Sequence, residues 1–145
     1  MSQTSSAFVA GPELLEELQK RALPIALGLD RVLFRQGDPP VGVYVLKKGT
    51  AKLTSRSDGA FLLSVEAGPS SVLGVPAVVG AKPYSLTAEA MEGAELGLLT
   101  SEYFVHLMRT EPMLSFRVLE VLAEELRFAR EMLSRQGEVA EAVQA

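Results

Sequence analysis

Residues 72–90, VLGVPAVVGAKPYSLTAEA, decide how this chain reads. Two strand-forming residues, Val72 and Leu73, lead into Gly74 and a short turn of small apolar residues; a second strand is expected from Tyr84. A glycine between a strand and a helical turn lets backbone N–H groups approach an anion, and the positive end of a short helix favours the same charge. No Arg, Lys or Glu lies between Val72 and Ala81, and Lys82 is the nearest cation. The stretch has the outline of a phosphate-binding cradle without the charges that would hold a phosphate.

Towards the N-terminus the pattern is one of short strands. RVLF from Arg31 ends at the turn cluster Gln36-Gly37-Asp38-Pro39-Pro40. Val41, Val43 and Val45 alternate with Gly42, Tyr44 and Leu46, which predicts a strand buried on both faces. Lys47-Lys48-Gly49 turns that strand into Thr50–Thr54, and Ser57-Asp58-Gly59 turns again into Phe61–Val65. With Tyr84–Ala90 and Glu95–Leu99 this makes about six to eight strands at roughly ten-residue spacing, the signature of a sandwich or barrel. Ahead of them, Gly11–Leu23 carries Leu14, Leu15 and Leu18 at helical spacing, with Pro12 suited to a first turn.

Beyond the strands helices resume. Thr100 can cap SEYFVHLMR, and Pro112 opens a longer helix predicted to run to Gln136, where Gly137 can end it. Leu119, Leu122, Leu126, Ala129 and Leu133 follow a 3-4-3-4 spacing, a heptad seam. Val118, Val121, Phe128 and Met132 form a second apolar face beside it. A helix apolar on two sides buries against two things: its own barrel and the same helix of a second subunit. The simpler reading is one wide stripe packed on the barrel alone.

Composition narrows the chemistry. The 145 residues suffice for one domain with a proper core. A net charge of −4 argues against a general nucleic-acid-binding surface. There is no cysteine, which excludes disulfides, thiolate zinc sites and Cys-ligated iron–sulfur clusters. The opening MSQTSSAFVAGPE does not read as a signal peptide, and Val72–Ala81 is too short to span a bilayer. A cytoplasmic protein without membrane contact is expected. His106, the single histidine, sits mid-helix among apolar residues, where a packed or half-exposed side chain is a commoner role than haem ligand. One histidine and dispersed carboxylates offer neither metal spacing nor a nucleophile–base pair, so no cofactor and no enzymatic activity are expected.

The order of elements, and the run LFRQGDPP, VYVLKKGTAKL, AGPSSVLG, PYSLTAEA and ELGLL, resembles the cyclic-nucleotide-binding domain of the Crp/Fnr superfamily from about Leu14 to Arg135. The resemblance implies a mainly β fold with flanking helices: a double-stranded β-helix (jelly-roll) barrel plus a long C-terminal dimerisation helix. The expected organisation is a domain over 1–136, with an N-terminal helical part (12–30), the barrel (31–99) and C-terminal helices (100–136), followed by a short tail (137–145). A homodimer through Leu119, Leu122, Leu126, Ala129 and Leu133 is the implied partner arrangement. The superfamily's helix-turn-helix does not fit in 137–145, so direct DNA binding by this chain is not expected.

The family's cradle reads Phe-Gly-Glu, followed by Arg-Ser/Thr-Ala, with the Glu on the ribose hydroxyl and the Arg on the cyclic phosphate. Gly74 and Ser85 match; Val75 stands at the Glu position and Tyr84 at the Arg position. The helix pair that meets adenine falls at Ala129 and Arg130, and Arg130 is a candidate for the missing charge. Losing the bidentate Arg contact costs roughly 1.5–3 kcal/mol, and an unsatisfied ribose hydroxyl about 1–3 kcal/mol more. That is on the order of a hundredfold to ten-thousandfold in affinity. Cyclic AMP and cyclic GMP are therefore not the expected ligands. The remaining candidate is an apolar cradle of Gly74, Val75, Pro76, Val78, Val79, Tyr84, Leu86 and Phe61 for a small-molecule effector, with Tyr84 and Ser85 as hydrogen-bonding points. Its alternative is a barrel filled by these same side chains, leaving an interaction module that holds no ligand.

Overall fold

The computed structural model describes the backbone of residues 4–144, and the side chains of all of these except 61, 62, 133 and 135–144. Among the described residues, nine strands form two sheets. The first has the order β1 (Thr4–Ser5), β6 (Ala60–Ala67), β5 (Ala51–Ser57), β8 (Thr87–Ala90) and β3 (Val32–Phe34). The second has the order β2 (Leu23–Pro24), β9 (Glu95–Thr100), β4 (Gly42–Lys48) and β7 (Val72–Leu73). Every pairing is antiparallel except β1 with β6. Helices α1 (Pro12–Arg21), α3 (Ser101–Thr110) and α4 (Pro112–Gln144) flank the second sheet, and the short α2 (Val75–Gly80) follows β7. This is the jelly-roll barrel with a long C-terminal helix that the resemblance implies, and it is one of the two architectures, sandwich or barrel, that the strand spacing allows.

The alternation in β4 divides the interior in two. Tyr44 and Leu46 face a barrel core with Phe8, Phe34, Leu53, Leu73 and Leu96. Val43 and Val45 face a helix-side core with Leu14 and Leu18 of α1, Phe104 and Leu107 of α3, and Val118 and Val121 of α4. Both faces of β4 are buried, as its uninterrupted apolar run predicts. Adjacent residues elsewhere in this sheet divide in the same way: Val72 belongs to the helix side, Leu73 to the barrel. Gly42 permits the close approach of β4 to β9, since a Cβ there would lie 2.4 Å from the Leu99 carbonyl oxygen.

Helix ends follow local chemistry. Pro12 opens α1, and the Thr100 hydroxyl caps α3 by accepting from the Tyr103 N–H at 3.3 Å. The predicted stop at Gly137 is corrected: α4 continues through it to Gln144, so the expected tail is largely helical continuation. Glycine inside a helix costs about 1 kcal/mol relative to alanine, and the helix-forming Glu and Ala residues around it offset that. Two further predictions shift. β8 begins at Thr87 rather than Tyr84, because the Tyr84 backbone is taken by the 37–38 turn: its N–H donates to Asp38 and its carbonyl accepts from Gly37. The two-residue β1 and β2 lack the length for a periodicity signal.

Candidate functional site

Gly74 is the pivot of the cradle. It has a φ of 92° at the N-terminus of α2, a left-handed conformation that strongly favours glycine. A Cβ at this position would lie 3.0 Å from Tyr84 Cε1 and 3.2 Å from the Gly42 carbonyl oxygen. Only glycine lets the turn close on the tyrosine ring.

Tyr84 fills the position where the resemblance places the phosphate-binding arginine. It is 3% exposed and stacks on Phe34, with ring centroids 3.9 Å apart and planes 12° from parallel. Its hydroxyl donates to the Gly42 carbonyl at 2.8 Å and accepts from the N–H groups of Val41 and Gly42 at 3.0 and 3.1 Å. The hydroxyl is thus committed to the backbone where β4 begins, and the expectation that it would offer a ligand a hydrogen bond is corrected. Here an arginine would carry a charge into the barrel; tyrosine carries a ring that fills it.

The remaining cavity is about 30 Å³. That is the volume of one water molecule, far below the several hundred Å³ typical of ligand pockets. Gly74, Pro76, Tyr84, Ser85 and Leu86 line it together, with Phe8 and Phe34 behind them. Val75 does not. It is fully buried beside Val78 in the helix-side core, because the left-handed turn at Gly74 sends the first α2 side chain away from the barrel. The residue that faces the cradle there is Pro76, which also removes one backbone N–H from the first turn of α2. Val79 is exposed, Phe61 lies outside the described side chains, and Lys82 is exposed away from the lining. Arg130 is exposed and is not brought to the cradle.

Six lining residues were not predicted: the apolar Phe8, Phe34, Leu53, Leu73 and Ala77, and one charged residue. Glu125 of α4 closes the cavity, and its Oε1 is buried without a hydrogen-bond partner among the described residues. Burial pushes its carboxyl up to about 8, so the group is largely neutral at pH 7. A sequence signal existed. Val118, Val121, Phe128 and Met132 make a 3-4-3-4 pattern once position 125 is included, so a glutamate interrupts the inward-facing stripe of α4. Phe128, one turn on, packs edge-to-face on Phe8 with centroids 5.9 Å apart.

The seam residues lie elsewhere on α4. Leu119 and Leu126 are 59% and 55% exposed, and Ala129 is exposed too. Leu122 is half-buried against the helix-side core, and Leu133 lies outside the described side chains. Met113 and Phe116, which the sequence reading did not single out, are exposed on the preceding turns of the same helix.

The barrel and the turn at Gly74 correspond to a known family. The cyclic nucleotide-binding domain model matches residues 26–111, more than half of the chain. The chain belongs to the cyclic nucleotide-binding domain family. The domain is 27% identical over 129 residues to the transcriptional activator protein anr of Pseudomonas aeruginosa, covering 88% of this chain and 52% of that protein. It is 26% identical over 127 residues to the transcriptional activator protein FnrA of Stutzerimonas stutzeri, covering 83% and 49%. The chain therefore spans about half the length of the curated relatives it matches. Among solved structures, the Thermus thermophilus catabolite activator protein superposes with a TM-score of 0.72 at 24% identity, over 92% of this chain and 63% of that one. No helix among the described residues is long and apolar enough to cross a membrane.

Proposed function

We propose that this cyclic nucleotide-binding domain is a cytoplasmic regulatory module of the Crp/Fnr type that responds to a small effector other than cyclic AMP or cyclic GMP. It acts by binding rather than catalysis, in the control of transcription or a related signalling output. The observation that carries this reading is Tyr84: it stands where a cyclic phosphate would need a guanidinium, and its hydroxyl is used up by the start of β4. The cradle also lacks one α2 N–H because of Pro76, and it presents Glu125 where an anion would lie. Each of these opposes a phosphate. Calorimetric titration with cyclic AMP and cyclic GMP is expected to give no saturable heat up to roughly 100 μM, at least a hundredfold weaker than an intact site allows. Micromolar binding of either nucleotide would overturn the proposal.

An effector larger than one or two heavy atoms enters only if α4 moves away from the barrel mouth, opening the Phe8–Phe128 contact. That displacement would be the output of the module. The small cavity also favours a second reading, a ligand-free interaction module. Native mass spectrometry separates the two: a recurrent bound small molecule supports the sensor, and its consistent absence supports the adaptor.

The exposed stripe Met113, Phe116, Leu119 and Leu126 supports a homodimer through α4. A Leu119→Lys, Leu126→Lys variant is expected to sediment as a monomer where the unsubstituted chain sediments as a dimer. These two positions are exposed, so the substitution leaves both cores intact. A wild-type monomer at micromolar concentration is the opposing result.

A further inference from the structure

We infer that the cradle recognises the cationic head of a small amine, with the Glu125 carboxylate as the recognition group. The inference rests on reading the cradle as an effector site, and it reverses the charge preference that the family's scaffold suggests.

A buried acid oxygen without a partner is a costly arrangement, and a buried site of this kind calls for a hydrogen-bond donor to complete it. Glu125 Oε1 is in that position, at the edge of a cavity of about 30 Å³, room for about one ammonium group. Among the described residues, no Arg, Lys or His lines the cavity to satisfy it from within. Tyr84 is the other titratable residue in the lining, and its hydroxyl is bound to residues 41 and 42. On α4 itself, Arg127 pairs with Glu124 and Arg117 pairs with Glu13 and Glu120. Arg130 is exposed away from the lining. Among the described residues no cationic side chain lines the cavity with Glu125, and the Ser85 hydroxyl is the one uncommitted neutral donor there, so a cationic partner would come from a ligand.

The rest of the lining sets the shape of the ligand. Pro76 and Leu86 border the opening, and Phe8, Phe34 and Leu53 form the wall, so a short apolar body behind the ammonium would lie against apolar side chains once the mouth opens at the Phe8–Phe128 contact. Ser85 is the one further side chain there able to accept a hydrogen bond. A carboxylate-bearing or phosphate-bearing ligand finds no cationic partner among the described lining residues and forms no ion pair with Glu125.

Binding carries a proton signature. The free carboxyl is largely neutral at pH 7, because burial raises it to about 8. The arriving ammonium favours the ionised form, so the carboxyl releases its proton to solvent as the ion pair forms. Close to one proton should be released per ligand near pH 6–7, with affinity rising by up to about tenfold per pH unit until Glu125 is already ionised.

The test uses the full chain with n-butylammonium chloride as the probe, and sodium butyrate, 1-butanol and potassium chloride as controls at equal concentration. Amide resonances of Gly74, Ser85 and Leu86 report occupancy, and calorimetry in two buffers of different ionisation enthalpy reports proton release. Butylammonium is expected to shift these resonances, bind about tenfold more tightly at pH 7 than at pH 6, and release close to one proton. Glu125→Gln is expected to weaken it at least tenfold. If 1-butanol shifts the same resonances equally and Glu125→Gln leaves both unchanged, the amine inference fails while the effector site stands. If potassium chloride reproduces the butylammonium shifts, the response is a general salt effect and the inference fails. If no probe shifts the cradle resonances at roughly 1000 times the protein concentration, both the inference and the effector-site reading fail.

Discussion

Glu125→Gln is expected to stabilise the domain by about 3–5 kcal/mol at pH 8 while changing it by less than about 1 kcal/mol at pH 5. The sign follows from where the proton sits. In the unfolded chain the carboxyl ionises near its ordinary value of 4.5; in the folded domain burial raises it to about 8. Between those values the folded state holds the proton that the unfolded state has lost, so wild-type stability falls as pH rises from about 4.5 and levels off above about 8. The slope is at most about 1.4 kcal/mol per pH unit. Glutamine keeps the size of the side chain and removes the titration. Melting temperatures across pH 5–9 should therefore fall for the wild type and stay flatter for the variant, with a gap of roughly 10 °C at pH 8. Parallel curves would mean that Glu125 is hydrated in solution.

Tyr84→Phe is expected to destabilise the domain by about 2–4 kcal/mol. The ring and its stacking on Phe34 remain, so only the hydroxyl is tested. Its loss removes the acceptor for two N–H groups and the donor to one carbonyl. The Gly42 groups are buried, and those are the ones that carry the cost; Val41 is exposed and can turn to water. Urea denaturation should show a lower midpoint with an unchanged slope. A change below about 0.5 kcal/mol would indicate that a water replaces the hydroxyl. Tyr84 is thus a structural member of the barrel, at the position where the resemblance places the phosphate-binding arginine.

The two residues also mark how far the sequence could be read. The barrel was legible because β4 is long and uninterrupted, the turn clusters at 36–40 and 57–59 are strong, and the heptad spacing is confined to one helix. The departure from the family's cradle pattern was legible as two residue types, Val75 and Tyr84. The direction of Val75 was not, since it depends on the left-handed turn at Gly74, and Pro76 takes the cradle-facing place instead. Glu125 stood in plain view as the one polar residue in the stripe Val118, Val121, Phe128 and Met132. Periodicity can identify such an interruption, but not that it closes a cavity on another element. The run of α4 through Gly137 was missed for a different reason: glycine is a weak stop signal without proline or a polar turn after it.

The short helix α2 has a left-handed residue at each end, Gly74 and Ala81, with φ of 92° and 51°. Its Ala77 belongs to the barrel core, while Val75 and Val78 belong to the helix-side core. It is held between two left-handed turns, with one side in each interior. Anything that presses Pro76 outward from the cradle must lift Val75 and Val78 out of their places against the flanking helices. Pro76 lines the cavity, so a ligand there would touch the same short helix whose other side packs with residues of α1, α3 and the first turns of α4.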